Sequence, residues 1–542
     1  MSLFDQILTA RGLVGDVGKA FLNPDYDEYH DPFLLPDMDK AVERLVQARG
    51  TQEKITIYGD YDIDGLTATT VLLEAFERFG FENVDAFIPN RFVEGYGLTS
   101  DAVERIAATK STLIVTVDCG SLSEKEIIRA SELGVDVIVT DHHNVAKVQP
   151  PAVAVINPKR PDHSYPFIDL AGVGVAFKLV QALQTRLDGL EIGQEKWLLD
   201  LVALGTVCDV VTLVDENRIF VYWGLKVMAK LRRPGLKALM AVAAIEPNSL
   251  NARSLGFGLG PRMNASGRLE TAQYSLDMLR SQDGVEAFEK AQRLDEFNKE
   301  RRLTQDKIFK EALIQAELYK DQPVLVVSGK DWNHGIVGIV AAKLLEKYKK
   351  PTYVLEEMGE DSKGSARSYG DFSAADAIRA SEHLITKGGG HKLAAGVSLP
   401  TANIEAFRKS VNDFYKSQKL KNQEALLIPK PDLAIDSFTG IDEAFIKQLE
   451  TLEPFGHGNP EPIFVANKVV VTNLRRMGSD SQHVKLELRD ESGNHMQFIS
   501  FSAPAHFFVE PGEQVNILFQ PTINEWQGRR TVEGRLIDVM PL

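Results

Sequence analysis

A chain of 542 residues is too long for one hydrophobic core, so two to four domains are expected. The formal net charge of −15 argues against a protein that coats nucleic acid over its whole surface. It leaves room for a local basic channel, because screening confines surface fields to about 8–10 Å. No uncharged apolar run reaches the roughly 18 residues of a membrane span, and Met1-Ser2-Leu3-Phe4-Asp5 lacks the basic and apolar regions of a signal peptide. Two cysteines, Cys119 and Cys208, make no disulfide framework, so the expected compartment is a reducing cytoplasm.

Residues 1–49 read as a helical extension, clearest at 41–46, where Val42, Leu45 and Val46 share one helix face. From 54 to about 214, strand and helix alternate. Strand 54–58 precedes helix 66–79, strand 112–117 precedes helix 122–133, and strand 135–140 precedes a histidine pair. An apolar run at 152–156 follows, then helices near 173–186 and 196–204. Short β-branched runs separated by helices predict a doubly wound parallel sheet. Residues 215–283 look mostly helical, interrupted at Gly258-Leu259-Gly260-Pro261-Arg262. The charged stretch 285–319 lacks Gly and Pro and reads as one exposed connecting helix. A second, smaller α/β segment begins at Pro323, contains helix 335–347 and strand 352–355, and ends near Ser417. Residues 419–431 read as a linker, and the short alternating runs of 432–542 predict a small β-barrel.

Chemistry-bearing residues gather after the predicted strands. Asp60, Asp62 and Asp64 follow the first, Asp118 the second, and Asp141, His142 and His143 the third, while Asp209 ends an apolar segment further on. Groups just past the C-terminal ends of parallel strands converge on one crevice, and that much negative charge needs a cation to hold it. Asp62 and Asp64 are the firmer ligand candidates. Asp60 is a ligand or a neighbour of one, because an extended loop puts all three aspartates on one face and a turn sends one away. Oxygen donors with an imidazole suit a divalent ion. The donors are enough for two ions bridged by a shared carboxylate, an arrangement suited to phosphoryl chemistry. An aspartate after a strand is also an ordinary helix N-cap. The start of a calcium loop fits poorly, because its twelfth position, counted from Asp60, is Val71.

Asp-Tyr-Asp-Ile-Asp-Gly, Val-Asp-Cys-Gly, Asp-His-His and Val-Cys-Asp-Val together resemble the motifs of the DHH phosphoesterase family. The resemblance implies two divalent ions, Mn2+ preferred or Mg2+, with Asp62, Asp64, Asp118, His142 and Asp209 as ligands and His143 beside the scissile phosphate. Many members carry a histidine where Tyr58 stands here, so Asp60 is expected to supply the missing ligation. Gly388-Gly389-Gly390-His391 with Ala394-Ala395-Gly396 is similar to the associated DHHA1 substrate-binding domain. There Gly389 and Gly390 would let backbone N–H groups approach a phosphate, and His391 would donate to it. Ser365 and Arg367 can jointly hold a terminal phosphate, and His334 sits at a predicted helix start, where anions are favoured. A tight turn feeding a helix is the plain alternative for the glycine run.

The loops at 89–98 and 260–268 carry the resemblance to the RecJ branch of that family. Arg91, Arg262 and Arg268 would grip backbone phosphates, Asn264 would add a neutral hydrogen bond, and Phe92 and Tyr96 would either stack on bases or pack in the core. The resemblance implies residues 1–49 as an extension, 50–284 as the DHH domain, 285–320 as the connecting helix, 321–420 as DHHA1 and 426–542 as an OB-fold. It also implies a single-stranded-DNA-specific 5′→3′ exonuclease of repair and recombination, acting as a monomer. Its expected partners are a single-stranded-DNA-binding protein and a RecQ-type helicase. Arg475, Arg476, Trp526 and Arg529 are the barrel's candidates for DNA contact, although 426–542 holds 10 Lys and Arg against 16 Asp and Glu. A short-oligonucleotide or cyclic-dinucleotide phosphodiesterase and a non-catalytic replication scaffold are the alternatives.

Overall fold

The computed structural model describes every residue except Tyr96, 421–425, Ile428, Gln527 and Leu542, together with the side chains of Trp526 and Pro541. Five parallel strands form the first sheet: β1 (Ile55–Gly59), β2 (Val84–Phe87), β3 (Leu113–Val117), β4 (Asp136–Thr140) and β5 (Ala154–Ile156). Their order is β2-β1-β3-β4-β5, all parallel. β1 and β3 are buried along their whole length, so they read as continuous apolar runs. β2 lies at the sheet edge and is only half-buried, which is why no apolar run announced it. Crossovers leave β1 on one side and β3 on the other, which makes the gap between their C-terminal ends the topological switch point.

The stretch 258–262 does not interrupt the helical region. A π-helical turn, Ser254–Leu259, runs directly into the helix Gly260–Leu269, with Pro261 in its first turn, where a missing N–H costs nothing.

The connecting helix spans Gly284–Leu318 but is not exposed throughout, a second correction. One stripe is buried at spacings of three and four: Ala287, Ala291, Leu294, Phe297, Asn298, Arg301, Gln305, Ile308, Ala312 and Ala316. Its N-terminal half packs on the helices of the first domain, and its C-terminal half on the second sheet and the helix Val337–Tyr348. Small alanines and three buried polar residues hid that stripe.

The second sheet orders as β6 (Leu325–Lys330), β7 (Thr352–Met358), β8 (Asp361–Arg367), β10 (Ala394–Pro400) and β9 (Lys387–Gly390). The glycine run is therefore an edge strand, antiparallel to β10, and not a turn feeding a helix. The last domain is a five-stranded barrel of β12 (Phe464–Met477), β13 (His483–Arg489), β14 (His495–Ser500), β15 (Gln514–Trp526) and β16 (Arg529–Pro541), closed by antiparallel pairing of β12 with β15, with β11 (Leu433–Ile435) added parallel to β12. Two N-terminal helices, Leu3–Ala10 and Gly15–Leu22, pack against the barrel core, with Ile7 wholly buried in it. The following helix, Met38–Thr51, packs on the first domain.

Candidate metal centre

The first loop does not stay extended. The helix Ile63–Arg78 begins inside it, with Asp62 as its N-cap, accepting from the Gly65 amide at 3.1 Å, and Asp64 in its first turn. Gly65 permits this, since a Cβ there would lie 2.5 Å from the Asp60 carbonyl oxygen. The turn divides the three aspartates. Asp60 and Asp62 face Asp118, while Asp64 faces His142 and Asp209, and a third group joins Asp118, His142 and His143. Within each group one ligand atom per residue lies inside 4.8 Å of the others. Asp118 and His142 each belong to two of the three groups.

Each donor is held from behind. Both Asp64 oxygens accept backbone amides, from Gly172 at 2.6 Å and Val173 at 2.8 Å, at the N-terminus of the helix Gly172–Leu183. Asp118 takes the left-handed backbone conformation (φ 59°) directly after β3. Asp141 accepts hydrogen bonds from the amides of Ser121, His142 and His143 and from His143 Nδ1, so it orients the histidine pair and is not a free donor to an ion. Burial opposes its charge, but His143 and His142 hold its carboxyl below the usual range. Asp209 caps the end of the helix Leu199–Cys208 and is the most exposed donor of the second group.

The electrostatics fit a cation. Burial, then neighbouring carboxylates, raise Asp60 to about 8, Asp64 to about 7 and Asp209 to about 9, and push Asp118 up as well. Burial and the neighbouring His143 lower His142 to about 3, which leaves the ring neutral. Its Nε2 lies 3.1 Å from Asp118 Oδ1, 3.5 Å from Asp209 Oδ2 and 3.8 Å from Asp64 Oδ2. Yet His142 Nε2, Asp118 Oδ1 and Asp60 Oδ1 are buried and make no hydrogen bond within the protein. Orphaned lone pairs converging from carboxylates and a neutral imidazole match what a hard divalent ion needs. Tyr58 points elsewhere: its hydroxyl donates to the Gly97 carbonyl at 2.8 Å, and its ring stacks on Phe87.

A cationic rim stands beside these carboxylates. Arg268 donates to the Gly335 carbonyl at 2.8 Å. Burial, then the charges of Arg91, Arg301 and Arg367, bring it down to about 9. Arg91 lies 4.2 Å over the Tyr61 ring, and its charge is felt at Asp60 as that of Asp62 is felt at Arg268. Ser365 and Arg367 sit over the start of the helix Val337–Tyr348, where a Cβ on Gly338 would be 3.1 Å from Arg367 Nη2. Arg301 was missed in the sequence. Its signal is a charge inside the buried stripe of the connecting helix, steadied by Asn298 and Gln305.

Other predicted residues fall as follows. Arg262, expected at a phosphate, is held inside the protein by Asp295 (2.8 Å) and the Gly258 carbonyl (2.7 Å), a correction. His334 gives its Nδ1 to Glu356 at 2.6 Å and meets the edge of Phe92, so Phe92 packs between domains. Gly389, Gly390 and His391 are exposed, and His391 Nδ1 lies 3.4 Å from Asn144 Nδ2, next to the histidine pair. Arg475, Arg476 and Arg529 are exposed on the barrel, with Arg476 over Phe508. The Trp526 side chain and Tyr96 lie outside the described residues. A cleft of about 790 Å3 opens from Cys208, Val210, Asn264, Arg268 and Arg301 toward the barrel residues Glu450, Phe455 and Glu461.

The chain is similar to known proteins. Residues 54–206 match the DHH family N-terminal domain, 321–417 the DHHA1 domain and 432–538 the RecJ OB domain. The single-stranded-DNA-specific exonuclease RecJ of Bacillus subtilis is 37% identical over 534 residues, covering 97% of this chain and 66% of that protein. The Salmonella typhimurium protein of the same name is 34% identical over 532 residues, covering 94% and 91%. The chain thus spans about two thirds of the length of the first and nearly all of the second. The crystal structure of RecJ in complex with Mn2+ from Thermus thermophilus superposes with a TM-score of 0.84 at 28% identity, covering 99% of this chain and 76% of that one.

Proposed function

Because the chain belongs to the RecJ family of single-stranded-DNA-specific exonucleases, we propose that it hydrolyses single-stranded DNA from the 5′ end with two divalent ions, Mn2+ preferred or Mg2+, releasing 5′-mononucleotides in repair and recombination. One observation carries the reading: three donor groups linked through Asp118 and His142 stand beside a cluster of four arginines, two of which, Arg268 and Arg301, line the cleft.

Asp60, Asp62 and Asp118 would hold one ion, and Asp64, His142 and Asp209 the other, with Asp118 between them. Bound there, divalent ions supply a water nucleophile at neutral pH and stabilise the attacking and leaving oxygens. The protein's own groups do the rest. Burial opposes a charge on His143, but Asp141, aided by Asp60 and Asp62, raises it, which leaves the ring able to donate to a phosphoryl oxygen. Arg91 and Arg268 from the first domain and Ser365, Arg367 and His391 from the second grip the terminal phosphate, and so set the next phosphodiester over the carboxylates. Asn264 and Arg301 line the cleft beside Arg268 and face the strand there. Three buried donor atoms that no hydrogen bond satisfies, Asp60 Oδ1, Asp118 Oδ1 and His142 Nε2, argue against a scaffold that has lost its chemistry, and the cleft that runs on to the barrel argues against a dinucleotide substrate.

The test is a nuclease assay with 5′- and 3′-labelled strands, long and dinucleotide. Asp118→Ala should abolish Mn2+-dependent cleavage while single-strand binding stays within a few-fold; undiminished turnover would remove the site assignment. Arg367→Ala should reduce the preference for 5′-phosphorylated over 5′-hydroxyl ends by about tenfold, a charge-assisted pair's worth, and an unchanged ratio would exclude that residue from end binding. Among the described residues no helix is long and apolar enough to cross a membrane. A cytoplasmic location, a monomeric state, and partnership with a single-stranded-DNA-binding protein and a RecQ-type helicase complete the proposal, open to fractionation, sizing and pull-down.

A further inference from the structure

The cleft wall beside Asp209 presents two apolar side chains to solvent, Phe257 at 71% exposure and Val210 at 66%. A lone exposed apolar residue needs no explanation. What distinguishes Phe257 is how firmly its backbone is held while its ring is left outside. It lies in the π-helical turn Ser254–Leu259, a geometry that is rare and concentrated at functional sites. Its neighbours Leu255 and Leu259 are wholly buried. Gly258 allows close packing underneath, since a Cβ there would lie 2.6 Å from Ile245 Cδ1, while one on Gly256 would meet Val207 of the helix Leu199–Cys208 at ordinary contact distance (3.6 Å). The turn therefore packs on Ile245 and on that helix.

Val210, the residue after Asp209, adopts the left-handed conformation at φ 63°, which a β-branched side chain rarely takes. That strain carries its isopropyl group into the cleft and not into the core. The Arg253 guanidinium lies 5.2 Å from the Phe257 ring, while Asn264, Arg268 and Arg301 line the inner end of the same cleft. A rigid, outward-facing ring next to cationic groups is the pattern of a surface that takes a base on its face and the backbone phosphates alongside.

We propose that Phe257, flanked by Val210, is a stacking platform for one nucleobase of the bound strand, so that base stacking sets how far each nucleotide advances toward the metal centre. The proposal rests on the single-stranded-DNA reading above and deepens it. Because every base offers a π-face, the platform is indifferent to sequence, and it gives an exonuclease a fixed register per nucleotide.

The experiment uses the full chain and 5′-phosphorylated oligothymidylates carrying a single abasic nucleotide, scanned position by position from the 5′ end. Dissociation constants are measured in the Asp118→Ala background, and KM and kcat in the active protein. One abasic position should weaken binding by about 5- to 150-fold, the effect of losing one base–aromatic stack. Phe257→Ala should weaken binding of the intact strand by a comparable factor, mainly in KM, and make the abasic position silent. Phe257→Tyr should restore both. Additive effects at every position, or unchanged affinity in Phe257→Ala, would overturn the platform, as would a coupling seen only at duplex junctions, which would mark a strand-separating wedge. Unchanged melting of Phe257→Ala and a retained kcat at saturating single strand exclude misfolding. If the unsubstituted protein cleaves no single strand, the proposed function fails; if it cleaves and no position couples to Phe257, only the platform fails.

Discussion

Asp118, in the left-handed backbone conformation, sits where burial and four neighbouring carboxylates act against its charge. Asp60, Asp64 and Asp209 share the predicament, with protons held up to about 8, 7 and 9. Without metal, the folded protein binds these protons more tightly than the unfolded chain, whose carboxyls titrate near 4. Their contribution to stability is therefore fully present below about pH 4 and is lost as pH rises through about 7 to 9. A bound divalent ion replaces the protons as countercharge and removes that slope. Thermal melting in chelator should fall by roughly 5 °C or more between pH 5 and pH 9, against a nearly flat profile with Mn2+. Identical profiles with and without metal would contradict the assignment of these carboxylates to a cation. At this scale the sequence was informative for the donors and silent about their supports. Asp-x-Asp-x-Asp and the histidine pair are visible as strings, whereas the inward commitment of Arg262 to Asp295 and the membership of Arg301 depend on side chains far apart in the chain.

Helix termini do much of the positioning. The helix Gly172–Leu183 delivers two amides to Asp64, and its first residue must be glycine, because a Cβ there would lie 2.7 Å from Asp118 Cβ and 2.8 Å from Asp118 Oδ1. Gly172→Ala should cost about 1–3 kcal/mol in urea unfolding, the usual penalty of overpacking. It should also lower Mn2+-dependent turnover at least tenfold by displacing the shared carboxylate; wild-type turnover and stability together would show that the contact gives way easily. Strands β1, β3 and β4 were legible because buried parallel strands are short apolar runs. The connecting helix was legible in length but not in role. A seam of alanines with Asn298, Arg301 and Gln305 carries too little hydrophobic periodicity to announce burial, yet the seam is what joins the two α/β domains.

Across the whole molecule, one arginine ties three parts together. Arg218, in the helix Asp215–Met228, donates to the carbonyls of Phe21, Leu452 and Glu453 and stacks on the Phe21 ring at 3.7 Å. Arg11 adds bonds to Asp432, Asn459 and Pro460, and the Leu213 amide donates to the His457 carbonyl. The N-terminal helices thus strap the barrel to the first domain. Arg218→Ala leaves three carbonyls without their donor and should cost about 1–3 kcal/mol. Faster amide exchange should appear at 18–24 and 450–460, while cleavage of short strands persists. Protection unchanged at both segments would show that apolar packing alone holds the barrel.

By itself the sequence determined the succession of domains and the inventory of metal donors. Both are written locally, in apolar runs of strand length and in acidic residues placed where those runs end. Only the tertiary structure decided how the donors divide into groups, which arginines gather at the rim, and that a strap holds the barrel to the first domain. Those outcomes depend on where a helix starts within a loop, on close approach at glycines such as Gly65 and Gly172, and on burial that turns a solvated charge into one that must find a partner.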